Sequence, residues 1–566
     1  LTWNDHPFSL KAVADRHFAL GINHLVFHTY THNPRLDVVP GTSFGGPIGT
    51  PFIRGQTWWQ HMPLFTDYLA RCHYLLQQGQ PVIDVLWYLG DAVDHKPRQN
   101  APFPAGFKYD YANADALIHH LFVQDGMLRN AAGNSWRVLW LRPENCALLT
   151  VPTLRRLREL LRDGATVIGP APRQNASLTG GPAADVEFAA LIAELWGDPL
   201  APNGDRRIGA GRLLWDKSLD TSIAALGLTP DVTGTSSATW THRREGDTDI
   251  YFIAADRLSP LDANLTFRTT GTPTFWDPVT GERQPATIFS REPDQTRVAL
   301  NLPAAGSVFV VFSPESSAPV ATRIIHNMTT VVDATDGDHV DRANPFPYLG
   351  LTPGGLVQPW ITPPPLAPIA LPNGKHLLVW QPGHYQVTRS DQSIVTGTTQ
   401  SPRSISLESG WTLSFPAGWD SPAHVELPRL KPWSDLSDPV TAAFAGTATY
   451  RRTIDLPAFN SDTRLTLDLG RVSVIATVRL NGQPVAKLWA PPFRTDITPF
   501  ALVGKNELEI EVTNTWHNRL RYDASLPEAD RKTWTIFAPV PDASAEISGI
   551  VGPVQIHVGS IISLHP

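Results

Sequence analysis

Apolar and polar positions change rhythm repeatedly along the first part of the chain. HPFSLKAVADRHFALG, residues 6–21, carries apolar positions at helical spacing and stops at Gly21, a usual C-terminal break. INHLVFHTY, 22–30, starts as an apolar run and predicts a buried strand. Its end is polar: His28, Thr29, Tyr30, Thr31, His32 and Asn33 precede Pro34. RLDVVPGTSFGGPIGTPFIRGQ, 35–56, is a Gly- and Pro-rich loop, longer than connections in compact domains usually are. Trp59, Met62, Phe65, Leu69, Cys72 and Leu76 then recur every three or four residues and predict a helix over 57–79. PVIDVLWYLGD, 81–91, predicts a second buried strand. Helices alternating with strands imply parallel pairing and an α/β fold.

The same style continues over 105–234. GFKYDYANADALIHHLFVQDG reads as a loop then a helix, SWRVLWLRP as a strand, and TVPTLRRLRELLRDG as a helix capped by Thr150. ATVIGP and GRLLWDKS read as further strands. Over 235–313 the period falls to two in DIYFIAAD, ANLTFRTT, TRVALNL and SVFVVFS, which predicts a β-sandwich. Residues 314–440 are Pro-rich, with PPPLAP near 363 as a linker, and are expected to be β-rich. Residues 441–566 are all-β: Leu465, Leu467, Leu469, Val478, Leu480, Leu508, Ile510 and Val512 form the expected core, and Asn481-Gly482 the turn of a hairpin. The fold class expected is multidomain α/β plus β.

Composition narrows the function. The 566 residues are 42% hydrophobic and 17% charged, as in a folded chain of several domains. A net charge of -7 offers no electrostatic footprint for nucleic acid or an anionic membrane, and no apolar run approaches bilayer length. Cys72 and Cys146 form no disulfide framework or zinc spacing, and they fit cytoplasm and periplasm equally. The sequence starts at Leu1 without a charged-then-apolar leader, so a processed form or a piece of a longer protein is expected.

In parallel α/β sheets and barrels, ligands bind at the carboxyl ends of the strands. His28 and His32 at the first strand end, and Tyr88 and Asp91 at the second, are therefore candidate pocket residues. Imidazoles and carboxylates bond hydroxyls, and aromatic rings stack on the apolar face of a sugar. Arg54 and Trp58, in the loop before the helix, complete the candidate substrate-binding set, while Trp59 fits the helix stripe as core. KLWAPPFRTD, with Trp489, Phe493 and Arg494, lacks strand alternation; with Trp516 and His517 it would either glue the last domain to the α/β part or hold a sugar.

GINHLVFHTYTHNP, the TWW loop, YLARCHYLLQQGQPVIDVLWYLGD, GFKYDYANADAL, GATVIGPAP, FWDPVTGE and GSVFVVF together resemble glycoside hydrolase family 106, the α-L-rhamnosidases. The tail, TATYRRT, LNGQPVAKLWAPPFRTDIT, NELEIEVTN and SGIVGPVQI, is similar to the jelly-roll sugar-binding module of family 2 hydrolases. The resemblance implies that 1–104 are the last strands and helices of a catalytic (β/α)8 barrel and 441–566 a jelly roll. It also implies an inverting mechanism on a rhamnose-containing glycoside or polysaccharide, and calcium as cofactor. A complete barrel takes roughly 250 residues. Its other strands, and the catalytic carboxylates, are expected upstream of Leu1 or in a second chain. Residues 1–100 contain no Glu, so neither catalytic residues nor metal ligands are assigned. The alternatives are a non-catalytic carbohydrate-binding protein and a family 2-like β-glycosidase.

Overall fold

The computed structural model describes residues 3–28, 32–41, 49–92, 103–197, 203–215, 218–234, 238–314, 319–336, 366–372 and 374–566. The first half of the expected PPPLAP linker, 363–365, lies outside them.

Helix α1 (Pro7–Ala19) starts where Pro7 fixes φ and where the His6 N–H donates to Ser9 Oγ at 3.0 Å. It ends before Gly21, whose φ of 98° is a left-handed value that glycine adopts freely. Helix α2 (Met62–Leu76) follows a 3-10 turn, Trp59–His61, and buries Phe65, Leu69, Cys72 and Leu76.

The segment between the helices corrects one expectation. Residues 22–28 join none of the sheets among the described residues, and Ile22, Val26 and Phe27 are 44%, 84% and 45% exposed. Side-chain contacts lay the segment over α2: His24 stacks on His73 at 4.7 Å, and Phe27 meets Phe65 edge-on at 6.4 Å. An apolar run is buried as a strand only where other strands supply backbone partners.

The second predicted strand exists but belongs elsewhere. β1 (Val85–Tyr88) is parallel to β2 (Tyr109–Ala112) on one side and β3 (Val138–Leu141) on the other. With β4 (Thr166–Ile168), β5 (Gly204–Ile208) and β6 (Gly211–Trp215) they form one six-stranded sheet, ordered β5-β6-β4-β3-β1-β2. Thus β1 is not the neighbour of residues 22–28, as had been expected. It is buried on both faces, which is why it reads as a continuous apolar run. Helix α3 (Val151–Asp163) packs Leu154, Leu157, Leu160 and Leu161 against this sheet and ends at Gly164. The helix expected within 106–126 is instead β2, one π turn and a strand, Leu121–Gln124.

The sandwich over 238–313 follows its period-two signal. β7 (Ala238–Glu245), β8 (Thr248–Ala255) and β9 (Ser307–Ser313) are successive neighbours in one sheet, facing a second sheet that includes Leu261–Phe267 and Thr296–Leu302. β8 is buried on both sides: Tyr251 and Ile253 point into the sandwich, Ile250 and Phe252 onto the cluster formed with α1 and α2.

The last unit is a jelly roll whose expected core residues are all buried in one cluster. Asn481 and Gly482, with φ of 53° and 76°, turn Ile475–Leu480 into Gln483–Leu488. Its sheets draw strands from before 441: Trp411–Ser414 pairs with Thr447–Leu456, and Arg403–Ser406 with Gln555–Ser563.

One buried ion pair ties α1 and α2 to the sandwich. Lys11 Nζ lies 2.5 Å from Asp15 Oδ2, 2.9 Å from Ser307 Oγ and 3.0 Å from Ala305 O, and Tyr68 Oη donates to Asp15. Asp15→Ala leaves the Lys11 charge buried without its partner. It should cost about 3–5 kcal/mol, whereas Lys11→Met/Asp15→Leu should recover most of that loss. Urea midpoints of the three proteins check this.

A second prediction concerns Lys108, whose ammonium lies 4.7 Å over the Trp240 ring and 3.3 Å from Ala19 O. Burial lowers its pKa from 10.5 to about 8, against the pull of Asp231. Between those values the unfolded chain holds a proton that the folded chain has released, so this group makes stability rise as pH increases from about 8 to 10.5. Lys108→Met should be more stable at pH 7 and lose that rise, as urea midpoints measured across the window will show.

Candidate functional site

The candidate residues stand on different elements: His28, His32, Arg54 and Trp58 around α2, Tyr88 and Asp91 at the end of β1. His28, His32 and Arg54 are exposed on the N-terminal unit; Thr29–Thr31 between the histidines lie outside the described residues. Arg54 stands in a turn held by close packing. A Cβ on Gly55 would come within 2.0 Å of Pro40 O, so only glycine lets the two loops approach so closely. Gly55 O accepts the Trp516 indole N–H at 2.6 Å, which fastens this turn to the jelly roll.

The expected burial of Trp58 and Trp59 is reversed. Trp58 is fully buried, donating its indole N–H to Asp5 O at 3.2 Å, while Trp59 is half-buried. The 3-10 turn that precedes α2 shifts the phase of the stripe by which Trp59 had been placed in the core.

Tyr88 and Asp91 sit at the carboxyl end of β1, in the six-stranded sheet. Tyr88 is fully buried and its hydroxyl donates to Asp91; burial first, then the Asp91 charge, pushes the phenol above its ordinary range. Asp91 Oδ2 accepts the Thr150 N–H at 2.5 Å, and the Thr153 hydroxyl bonds to the carboxylate at 2.9 Å. Asp91, rather than the Thr150 side chain, therefore satisfies the N-terminus of α3.

KLWAPPFRTD acts as glue. Trp489 is buried against Phe65 and Tyr68 of α2, at ring distances of 6.1 and 5.6 Å. Trp516 joins Trp3 and Ile53 in a small apolar cluster. Beside it lies a group the sequence pattern did not reveal. Burial, with the charge of Asp5 adding to it, raises the Glu546 carboxyl, against His517 and hydrogen bonds from Asn4 and Thr515. Glu546 stands in a loop without periodicity, and its partners are some 30 or more than 500 positions away in sequence. Among the described residues, no three His, Cys, Asp or Glu side chains are grouped to hold a metal ion. No helix there is long and apolar enough to cross a membrane.

These features define a multidomain α/β-plus-β chain ending in a jelly roll. The alpha-L-rhamnosidase model of glycoside hydrolase family 106 matches residues 1–290, more than half of the chain, and the chain belongs to that family. A glycosyl hydrolase 2 galactose-binding domain-like model matches residues 435–545. The solved rhamnosidase of Novosphingobium sp. PP1Y superposes with a TM-score of 0.77 at 29% identity, covering 98% of this chain and 46% of its own. A protein of Formosa agariphila, provisionally named a beta-glucuronidase, is 27% identical over 95% of this chain and 58% of its own. The chain thus spans about half the length of the relatives it matches. Its architecture is that of a barrel remnant with an α/β sheet, followed by β-sandwich sheets and the jelly roll.

A prediction separates structure from chemistry at Asp91. Asp91→Ala removes the acceptor at the start of α3 and should cost about 1–2 kcal/mol in a urea titration. Asp91→Asn, which keeps an acceptor oxygen, should recover at least half of that cost.

Proposed function

We propose that this chain is the C-terminal part of an inverting α-L-rhamnosidase that releases terminal L-rhamnose from a glycoside or polysaccharide. The family match over residues 1–290, together with the likeness to a solved rhamnosidase, carries the reading. Three of the acids before residue 92 are engaged in the fold: Asp15 pairs with Lys11, Asp84 with Arg137 and Arg268, and Asp91 with the start of α3. Inversion needs an acid and a base roughly 6.5–9.5 Å apart across the sugar. In this reading the pair comes from the part of the relatives' length that this chain does not span, and so do the remaining barrel strands. The exposed Ile22, Val26 and Phe27 are the edge those strands would cover.

His28, His32 and Arg54 are proposed to face the completed pocket, whereas Trp58, Tyr88 and Asp91 act by packing. Calcium is implied by the family, and among the described residues no three His, Cys, Asp or Glu side chains are grouped to hold it. A second reading, a β-glucuronidase, draws on the name of the Formosa relative.

The test is hydrolysis by the full-length protein. An aryl α-L-rhamnoside should be cleaved with release of β-L-rhamnose, seen by proton NMR, and an aryl β-D-glucuronide should not. Cleavage of the glucuronide alone reverses the assignment, and binding without cleavage of either supports a carbohydrate-binding role.

A further inference from the structure

A segment of the jelly roll carries aromatic rings half in water while its backbone is fixed. Trp534 and Phe537 are 37% and 38% exposed. The Trp534 N–H donates to Val39 O at 2.8 Å, the Gly41 N–H donates to Trp534 O at 3.0 Å, and the Trp3 indole N–H donates to Phe537 O at 2.7 Å. The jelly roll is thereby stitched to the loop that follows the polar run His28–Asn33. On that loop the Arg35 guanidinium lies 5.2 Å over the Trp534 ring and holds Asp37 through two bonds of 3.0 and 2.8 Å.

These groups combine what a sugar needs. An indole held in place offers an apolar surface to ring C–H groups at little entropic cost. The guanidinium and carboxylate beside it can donate to and accept from neighbouring hydroxyls. Their position matters as well. In the barrel reading of this unit substrate binds at the carboxyl ends of the strands, and the polar run His28–Asn33 that follows residues 22–28 in sequence stands for such an end. The loop 35–41 comes directly after that run, which in the same reading puts it beside the pocket.

We propose that Trp534, with Arg35 and Asp37, forms a subsite for the sugar ring to which the terminal rhamnose is attached. The jelly roll then sets leaving-group specificity through this segment, while KLWAPPFRTD holds the module in place. The inference rests on the glycosidase reading, and its test is separable from it.

Binding of a rhamnosyl-glucose disaccharide to this chain is measured by calorimetry, with Trp534→Ala and Trp534→Phe as variants. Binding should weaken about five- to tenfold in Trp534→Ala and stay within about twofold in Trp534→Phe. No measurable binding by the unaltered chain, or equal binding by Trp534→Ala, overturns the subsite. In the full-length protein, Trp534→Ala should raise KM for the disaccharide more than KM for methyl α-L-rhamnoside, which has no second ring. An equal rise for both also overturns it. Disaccharide binding that depends on Trp534, in a protein that hydrolyses no rhamnoside, keeps the subsite and removes the glycosidase reading.

Discussion

The arrangement of the units depends on one buried side chain, Tyr68. Its hydroxyl donates to Asp15, which pairs with Lys11, and Lys11 reaches Ser307 and Ala305 of the sandwich. Its ring stacks on Phe65 at 6.0 Å and meets Trp489 of the jelly roll edge-on at 5.6 Å. So α1, α2, the sandwich and the jelly roll converge on a single residue of α2. A buried ion pair adds little stability over an apolar substitute of the same shape. Its fixed geometry does set how the elements sit, because a Lys11 displaced from Asp15 would be an uncompensated charge in an apolar cluster.

A second buried polar network joins the α/β sheet to the sandwich. Asp84, at the start of β1, bonds Arg268 at 3.0 Å, and Arg268 also reaches Asp231 at 3.5 Å. Asp231 and Asp249 hold the two nitrogens of His242 at 3.0 and 2.9 Å. Burial alone would lower the His242 pKa; the two carboxylates outweigh it and hold the imidazole above its ordinary range. Asp249 is correspondingly held well below the carboxylate range by His242 and Arg244, despite its burial. The two networks lie on opposite sides of β8, whose residues are buried on both faces. These two networks place charge at joints between units, while the jelly roll keeps a further buried pair, Arg519–Asp523, of its own.

What the sequence made legible follows from how local each signal is. The helices α1 and α2, the Asn481-Gly482 hairpin and the alternating leucines of the jelly roll rest on spacing within one element, and the structure places them as read. Residues 22–28 and the pairing of β1, which is a buried strand as read, failed in a different way. Both are apolar runs, and nothing in a run says which strands will flank it; one found two parallel neighbours and the other found none among the described residues. The site was less legible for the same reason. Asp91 reads as a strand-end carboxylate, and only the distant start of α3 shows it to be a cap. The expected burial of Trp58 and Trp59 was reversed by one 3-10 turn. Trp534 escaped notice because its significance lies in a backbone bridge to Pro40, almost five hundred residues away.

The distribution of exposed apolar residues gives these points a common physical basis. A folded unit of this size normally covers its large apolar side chains or uses them. Here Ile22, Val26, Phe27, Leu36 and Val39 of the N-terminal unit are exposed, and so are Ile536, Phe537 and Val540 of the jelly roll. The two sets are joined where Val39 and Gly41 bond to Trp534, so they form neighbouring parts of one surface. The first part is a run with strand composition and, among the described residues, no strand partner, and adding strands would bury it. The second part is a loop whose backbone is already bonded at Trp534 and Phe537, and an added strand has less to offer it. Strands and a ligand place different demands on a surface, backbone groups in the one case and rings with adjacent polar forks in the other. The first part of this surface fits the former and the second part the latter, and the two parts meet at the loop 35–41.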